Sequence, residues 1–348
     1  MMPNSPTKLR ALHVRALCVP MQPHRTASGV VAESPLILTD AVTEAGVIGR
    51  SIIFTYTPAA LGPTADLIRN IEPLITGDDL APAEISQKLA RRFRLLGIQG
   101  LVGMALAGID MALWDALARL HETSLARLLG GAEKPVPAYG AVGYDGELES
   151  ANGAEAWARR GFRGVKAKIG YPTVAEDLRV VRAMRQAVGP DVALMVDYNQ
   201  SLTPADAITR IRELDAEGLT WVEEPVLAND FPGLAQVARE VRTPIQAGEN
   251  WWGPEDLRHA LDAHSTDYVM LDVMKVGGVT GWLRASAMAA AQGVRVSNHL
   301  WPELSAQLLS VTPNAHWLEY ADWWNLILRE PLQIENGLAI PGPPIEWK

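Results

Sequence analysis

The second half of the chain repeats one pattern, a short run rich in β-branched residues that ends in a polar side chain and precedes a helical stretch. Successive polar ends are 29, 26, 26, 23, 27 and 20 residues apart, at Lys168, Asp197, Glu223, Glu249, Asp272, His299 and Glu319. This is the spacing of βα units. With the run 136–141 in front, it predicts eight strands and an α/β fold, a modified (β/α) barrel of the TIM type. A doubly wound sheet is the alternative, but no glycine-rich phosphate loop follows the first strand.

The first part of the chain has a different rhythm, in which extended segments give way to a helical period. The predicted strands are 9–19, 36–42 and 52–56, and the predicted helices are 64–75, 82–96 and 99–121. Strands followed by helices are typical of a small α+β domain. The predicted organisation is an α+β domain over 1–130 with a loop at 22–34, a barrel over 131–328, and a tail over 329–348 that returns to the first domain.

Composition excludes several classes of function. Among 348 residues, 40 acidic and 31 basic side chains give a net charge of −9, the wrong sign for a protein that follows nucleic-acid phosphates. We find no apolar run near the roughly 20 residues of a membrane span, and we expect no membrane partner. The polar start at 1–6 does not resemble a signal peptide, and Cys18 alone cannot form an intramolecular disulfide. We therefore expect a cytoplasmic protein, with Cys18 packed inside a strand.

Three of the polar strand ends are acids in successive units, Asp197, Glu223 and Glu249. In a β/α barrel these ends converge on the active-site face. Close carboxylates repel one another by about 4 kcal/mol per pair at an effective dielectric near 20, so a cation is needed among them. Oxygen ligands on rigid strands favour a hard ion such as Mg²⁺. Helix capping would explain any one of these acids, but it explains three in succession poorly.

Basic groups flank the predicted metal strands on both sides. Lys166 and Lys168 are two apart on one strand and therefore point to the same face. Two adjacent ammonium groups near a divalent cation can lower the pKa of one lysine to about 7 to 8, which suits Lys168 as a general base and Lys166 as a binder of a substrate anion. On the other side, Asp272 can orient the imidazole of His299.

Two bases facing each other across a substrate can remove a proton from one face of a carbon and return one to the other, as a racemase requires. Glu319 ends the eighth strand, where a protonated acid could donate to a substrate carboxylate. Asp110 and Asp115 fall in a predicted helix, and we interpret them as structural. We interpret Lys275, before two glycines, as part of the loop beside Asp272.

Several stretches together resemble the mandelate racemase subgroup of the enolase superfamily, over nearly the whole chain. They are Ala107–Ala112, Val165–Pro172, Met195–Ser201, Glu223–Pro225, Gly248–Trp251, Met274–Trp282 and Ala315–Glu319. The resemblance implies Mg²⁺ on the three strand-end acids and two opposed bases, Lys168 and the pair of His299 and Asp272. It also implies that Lys166 and Glu319 contact the substrate carboxylate.

Further implications concern the substrate pocket and the assembly. By this resemblance Asn199 contacts the α-hydroxyl, the first domain caps the barrel with residues 22–34 as a lid, and Phe54 and Tyr56 line the pocket. The resemblance also implies a homo-oligomer. The chain departs from the subgroup where the substrate is selected: Ala141 replaces a serine, His24 and Ser28 replace lid valines while Val31 is retained, and Ala321 replaces a leucine. A more polar lid weakens the case for a phenyl group.

These features predict a Mg²⁺-dependent racemase of a small 2-hydroxy carboxylate, mandelate or a related acid, that acts through an enediolate. A dehydratase of an acid sugar or hydroxy dicarboxylate is an alternative, because the same enediolate serves both reactions. A metal-dependent ligand-binding protein without activity is a third reading, although such a protein has no need of two opposed bases.

Overall fold

The computed structural model describes residues 7–26 and 29–348. The first domain combines an antiparallel sheet with helices. Its elements are β1 (Leu9–Thr26), β2 (Gly29–Thr43), β3 (Ile48–Phe54), α1 (Pro58–Ile75), α2 (Pro82–Arg92), α3 (Gly100–Leu120) and α4 (Leu125–Leu128). Strand β2 lies between β1 and β3. Helix α1 begins six residues before its predicted start, because Thr57 caps it and Pro58 suits the first helical turn.

Helix α3 is apolar on several faces because neighbours cover it on several sides. With a mean hydropathy of 1.6, it is long and apolar enough to cross a membrane. This contradicts our expectation that no segment of the chain has the length and apolar character of a membrane span. However, 67% of that apolar window is buried inside the protein. Gly49 of β3 lies so close to α3 that a Cβ there would sit 2.1 Å from the carbonyl oxygen of Ala112. The helix packs as a core element of the first domain.

The second part is a curled parallel sheet surrounded by helices, an α/β fold. Its elements are β4 (Val136–Val142), α5 (Gly146–Arg159), β5 (Gly164–Lys168), α6 (Val174–Val188), β6 (Ala193–Asp197), α7 (Pro204–Leu214), β7 (Trp221–Glu223), α8 (Phe231–Glu240), β8 (Ile245–Ala247), α9 (Gly253–Asp262), β9 (Tyr268–Asp272), α10 (Gly278–Ala291), β10 (Arg295–His299), α11 (Pro302–Val311) and β11 (Leu318–Tyr320). All eight predicted strands are present, and β4 to β10 pair in chain order. Strand β11 pairs with β4, and a parallel bridge between Val296 and Ala315 joins the segment before β11 to β10.

The predicted loop at 22–34 is instead a β-hairpin. Strand β1 continues to Thr26 and β2 starts at Gly29, with His24 paired to Val31. Pro20 and Pro23 donate no ladder hydrogen bond, and a register shift between Pro20 and His24 accommodates them. Ser28 lies outside the described residues, as do residues 1–6. Cys18 is exposed on this hairpin's strand, so the expectation that it packs inside was wrong.

The tail contacts both parts of the protein. Strands β12 (Gln333–Glu335) and β13 (Leu338–Ile340) form a hairpin that the sequence did not predict, and β13 pairs with the start of β4. Beyond it, Glu346 accepts from Arg50 at 2.7 Å, and the indole of Trp347 donates to Asp40 at 2.9 Å. Arg50 and Asp40 belong to the first domain, so the end of the chain contacts it.

Candidate metal centre and catalytic groups

Three buried carboxylates meet at the C-terminal ends of adjacent strands. Asp197 and Glu223 end β6 and β7, and Glu249 lies two residues beyond β8. Each offers an oxygen within 4.8 Å of the others. Parallel strands deliver these side chains to one edge of the sheet, as the sequence predicted.

Neighbouring donors fix the orientation of each carboxylate. The backbone N–H of Asn199 donates to Asp197 Oδ1 at 2.7 Å. Glu223 Oε2 accepts from the Trp221 indole at 3.0 Å and from the Gln246 amide at 3.1 Å. Glu249 Oε2 has no hydrogen-bond partner among the described residues, although it is buried. An oriented carboxylate oxygen without a partner at this depth is suited to a cation.

Both predicted lysines reach the carboxylates. Lys166 Nζ contacts Glu223 Oε1 and lies 2.8 Å from Glu319 Oε1, and Lys168 Nζ contacts Asp197 Oδ2. Lys166 is fully buried. The strand periodicity of β5 places both ammonium groups on the same side, as predicted.

Acids outnumber basic groups in the buried cluster. Its six carboxylates are Asp197, Glu223, Glu224, Glu249, Asp272 and Glu319, and its cationic groups are Lys166, Lys168, Lys275 and His299. The acids outnumber these basic groups by two, and burial raises the pKa of Glu223 and of Glu224 well above the ordinary value, so a bound cation is needed for all six acids to be ionised. All-oxygen ligands and this excess fit Mg²⁺, which Asp197, Glu223 and Glu249 would hold.

Two ion pairs oppose the protonation states expected of Lys168 and Glu319. Burial works to lower the pKa of Lys168, but the contact with Asp197 outweighs it and raises the pKa above its ordinary value, contrary to the predicted lowering. Burial works to raise the pKa of Glu319, but Lys166 lowers it to about 2. In this structure Glu319 lies in an ion pair with Lys166 and accepts from the backbone N–H of Leu300 at 3.1 Å, whereas the predicted role as a proton donor requires a protonated carboxyl. Sequence spacing did not reveal these ion pairs between strands.

The predicted dyad is formed on the other side of the carboxylates. His299 Nδ1 lies 2.7 Å from Asp272 Oδ2, and His299 Nε2 lies 3.6 Å from Glu249 Oε2. Burial works to lower the pKa of His299, but Glu249 and Asp272 raise it above its ordinary value. Asp272 Oδ1 accepts from the Trp301 indole at 3.0 Å and from the backbone of Met274 at 2.7 Å. These bonds hold the aspartate in place.

Aromatic side chains surround the remaining predicted pocket residues. The ring of Phe54 lies 4.6 Å from that of Tyr56 and 6.0 Å from that of Trp323. His24 lies 5.1 Å from Trp323, and both border an open cavity of about 580 Å³ together with Ala141. Of the predicted pocket residues, Phe54 and Tyr56 are therefore in mutual contact, and His24 and Ala141 share this cavity.

Asn199 and the lid residue His24 both lie near the charged cluster. The side chain of Asn199 donates to Asp197 Oδ2 at 3.0 Å, while its own Oδ1 has no partner among the described residues. Burial and the charge of Lys168 lower the pKa of His24 to about 4, so its imidazole is neutral at pH 7. The lid is docked, because the Tyr144 N–H donates to the Arg25 carbonyl at 2.8 Å and Arg25 pairs with Asp145 at 3.3 Å.

Sequence reasoning missed three side chains of the site. Glu224 is buried beside the metal-binding acids with a backbone φ of 37°, and Asn250 donates to it at 2.7 Å. Lys275, assigned only to loop geometry, donates to Asn250 Oδ1 at 2.5 Å. The adjacency of Glu224 to Glu223, and of Asn250 to Glu249, was the available signal.

Asp110 has a structural contact, as predicted: it accepts from the N–H and hydroxyl of Thr280 at 3.0 and 2.6 Å.

Comparisons with known proteins agree with this geometry. A family model described as mandelate racemase/muconate lactonizing enzyme, N-terminal domain, matches residues 10–130, and one described as enolase C-terminal domain-like matches 149–344. An enolase from Bradyrhizobium crystallised with magnesium and mandelic acid is 42% identical over 100% of this chain and 97% of its own, with a TM-score of 0.95. D-galactarolactone cycloisomerase of Agrobacterium fabrum is 33% identical over 81% of each chain. L-talarate/galactarate dehydratase of Salmonella typhimurium is 29% identical over 88% of this chain and 78% of its own.

Proposed function

We propose that this chain, which belongs to the enolase superfamily, is a Mg²⁺-dependent racemase of a small 2-hydroxy carboxylate, with mandelate or a related acid as substrate. A similar protein of known structure was crystallised with magnesium. One observation supports the proposal most directly. Lys168 of β5 contacts Asp197 on one side of the three carboxylates, and His299 lies near Glu249 on the other side. A substrate between these flanks would face a base on each side.

In the proposed reaction, one base removes the α-proton and the other delivers a proton to the opposite face. Lys168 would serve one enantiomer as the base and His299 the other, with Asp272 holding the imidazole so that Nε2 faces the substrate. Mg²⁺ on Asp197 would compete with Lys168 for the carboxylate that raises the pKa of this lysine, and would thereby favour its action as a base. When bound to Asp197, Glu223 and Glu249, Mg²⁺ supplies positive charge that stabilises the enediolate. Lys166 donates to the substrate carboxylate, where negative charge grows in the transition state. Asn199 is the proposed contact of the α-hydroxyl through its unpartnered Oδ1.

The second candidate function is dehydration of an acid sugar. The neutral imidazole of His24 in the lid favours it, since this side chain can hydrogen-bond a substrate hydroxyl where an apolar lid cannot. The related dehydratase of Salmonella typhimurium supports it further. In this reaction one base removes the α-proton, His299 protonates the departing β-hydroxyl as water, and the resulting enol becomes a 2-keto acid.

A substrate panel in D₂O with Mg²⁺ separates these functions. Racemisation exchanges the α-proton for deuterium, detected by NMR, and produces the other enantiomer without a new compound. Dehydration produces a 2-keto acid that semicarbazide traps. Tight binding of a hydroxy acid without exchange or product would contradict both and support a binding protein.

We further propose that the protein self-associates. Leu95, Leu96 and Ile98 expose large apolar side chains in the segment between α2 and α3. A cluster of this kind is typical of surfaces that are covered in an assembly. Light scattering tests this: we expect a mass above that of one 37.8 kDa chain, reduced by Leu96→Asp.

A further inference from the structure

Lys275 is a buried cation whose surroundings connect the first domain with the metal-binding carboxylates. It follows β9 and is only 6% exposed. On one side its Nζ donates to Asn250 Oδ1 at 2.5 Å. On the other side the same Nζ lies 4.7 Å from the centre of the Tyr56 ring, which belongs to the first domain. A cation at this distance from an aromatic face is attracted to it.

The side-chain amide of Asn250 contacts Lys275 with its oxygen and two acids with its NH₂ group. Its Nδ2 donates to Glu224 Oε2 at 2.7 Å and lies 3.3 Å from Glu249 Oε1. Because Lys275 can only donate, it fixes which end of the amide faces it, and the NH₂ group must then face the acids. If the amide turned over, its oxygen would face two carboxylates. The amide orientation that Lys275 fixes therefore keeps its NH₂ group at Glu249 Oε1, while Glu249 Oε2 makes no hydrogen bond and lies 3.6 Å from His299 Nε2.

Tyr56 and Glu224, the outermost residues of this series of contacts, both have unusual backbone conformations. Tyr56 has a φ of 58° and Glu224 a φ of 37°, both in the left-handed region that side chains other than glycine seldom adopt. Such conformations persist only where surrounding contacts determine them. The backbone at Tyr56 and at Glu224 is therefore determined by its surrounding contacts.

We propose that Lys275 is a positioning residue that couples the docked Tyr56 of the first domain to the geometry of the Mg²⁺ ligand Glu249 through Asn250. The proposal rests on the metal site of the proposed function, but not on racemisation. Its role is in orientation, because the charge of Lys275 alone would oppose a bound cation. If Lys275 acts by orienting Asn250, its removal should weaken Mg²⁺ binding. If it acted only through its positive charge, its removal should strengthen Mg²⁺ binding.

The test is calorimetric titration of the full chain with Mg²⁺, without substrate. We expect Lys275→Met to weaken Mg²⁺ binding 10- to 100-fold, the usual effect of removing a group that orients a metal ligand. Lys88→Met on the surface, which removes a lysine but leaves Lys275 in place, should stay within about threefold of the parent protein. Unchanged or tighter binding in Lys275→Met would overturn the proposal.

If circular dichroism shows that Lys275→Met does not fold, variants of Tyr56, which contacts Lys275 from the first domain, provide the test instead. Tyr56→Leu removes the ring and should weaken Mg²⁺ binding severalfold, whereas Tyr56→Phe retains the ring face and should not. Equal affinities for both Tyr56 variants would contradict the coupling. If the parent protein binds Mg²⁺ but exchanges no α-proton of any hydroxy acid, the proposed function fails while this test still stands.

Discussion

Asp272 Oδ2 and His299 Nδ1 are 2.7 Å apart, and the remaining oxygen of Asp272 accepts from Trp301 and from backbone N–H groups. An ionised carboxylate can only accept, so Nδ1 carries the proton and Nε2 is the basic nitrogen. Nε2 is also the nitrogen nearer to Glu249, at 3.6 Å. The dyad is thus oriented toward the carboxylates of the candidate metal site.

Replacing the orienting acid should disable the imidazole without disturbing the fold. In Asp272→Asn the amide can present NH₂ to the ring and favour the wrong tautomer, so we expect kcat to fall about 10³-fold or more. Trp301→Phe removes one hydrogen bond to Asp272 and should cost about tenfold at most. Initial rates measured by polarimetry compare the two. Equal losses would indicate that the orientation of the imidazole is not what matters.

Docking of the lid should depend on the protonation of His24. Its pKa is about 4 in the docked lid, below its ordinary value of 6.5, so protonation favours the undocked lid. The stabilisation is fully present above pH 6.5 and is lost as the pH falls toward 4. Hydrogen exchange at the amides of Arg25 and Val31, corrected for intrinsic rates, should accelerate from pH 7 to pH 5. His24→Gln should show no such acceleration, and if it shows the same acceleration as the parent, another group is responsible.

Bound Mg²⁺ should stabilise the folded protein. The cluster of buried acids carries an excess of negative charge, and a cation that binds only the folded state stabilises it by about 2.7 kcal/mol at a hundredfold excess over Kd. We expect Mg²⁺ to raise the melting temperature and EDTA to lower it. In Glu249→Gln, which removes one ligand charge, the rise should be much smaller. A rise of the same size would exclude Glu249 from the site.

Helix α10 should depend on an acid supplied by the other domain. Its own N-cap, Gly277, has no side chain, and Asp110 of α3 accepts from Thr280 instead. Asp110→Ala should lower the free energy of unfolding by about 2 kcal/mol. Thr280→Val, which keeps the backbone donor, should cost less. Urea denaturation measures both, and a surface change, Asp66→Ala, is the control.

The parts of the site that follow from strand periodicity were predictable. Asp197 and Glu223 end strands of one parallel sheet and Glu249 lies two residues beyond the next strand, so their convergence follows from the βα spacing. The dyad was predictable for the same reason, since Asp272 and His299 end neighbouring strands. Family resemblance supplied Phe54 and Tyr56, which periodicity within the barrel does not indicate.

The features that depend on contacts through space were not predictable in this way. The ionisation of Glu319 depends on Lys166, which lies on a strand far away in sequence. The role of Lys275 depends on Asn250 and on a ring of the first domain. The lid was predicted as a loop, whereas its strands pair across a register shift between Pro20 and His24.

The most direct test of the two-base account is exchange of the α-proton in D₂O, followed by NMR for each enantiomer of an accepted hydroxy acid. The account predicts that Lys168→Ala abolishes exchange from one enantiomer and retains it from the other, and that His299→Asn shows the reverse. Loss of exchange from both enantiomers in either variant would contradict it.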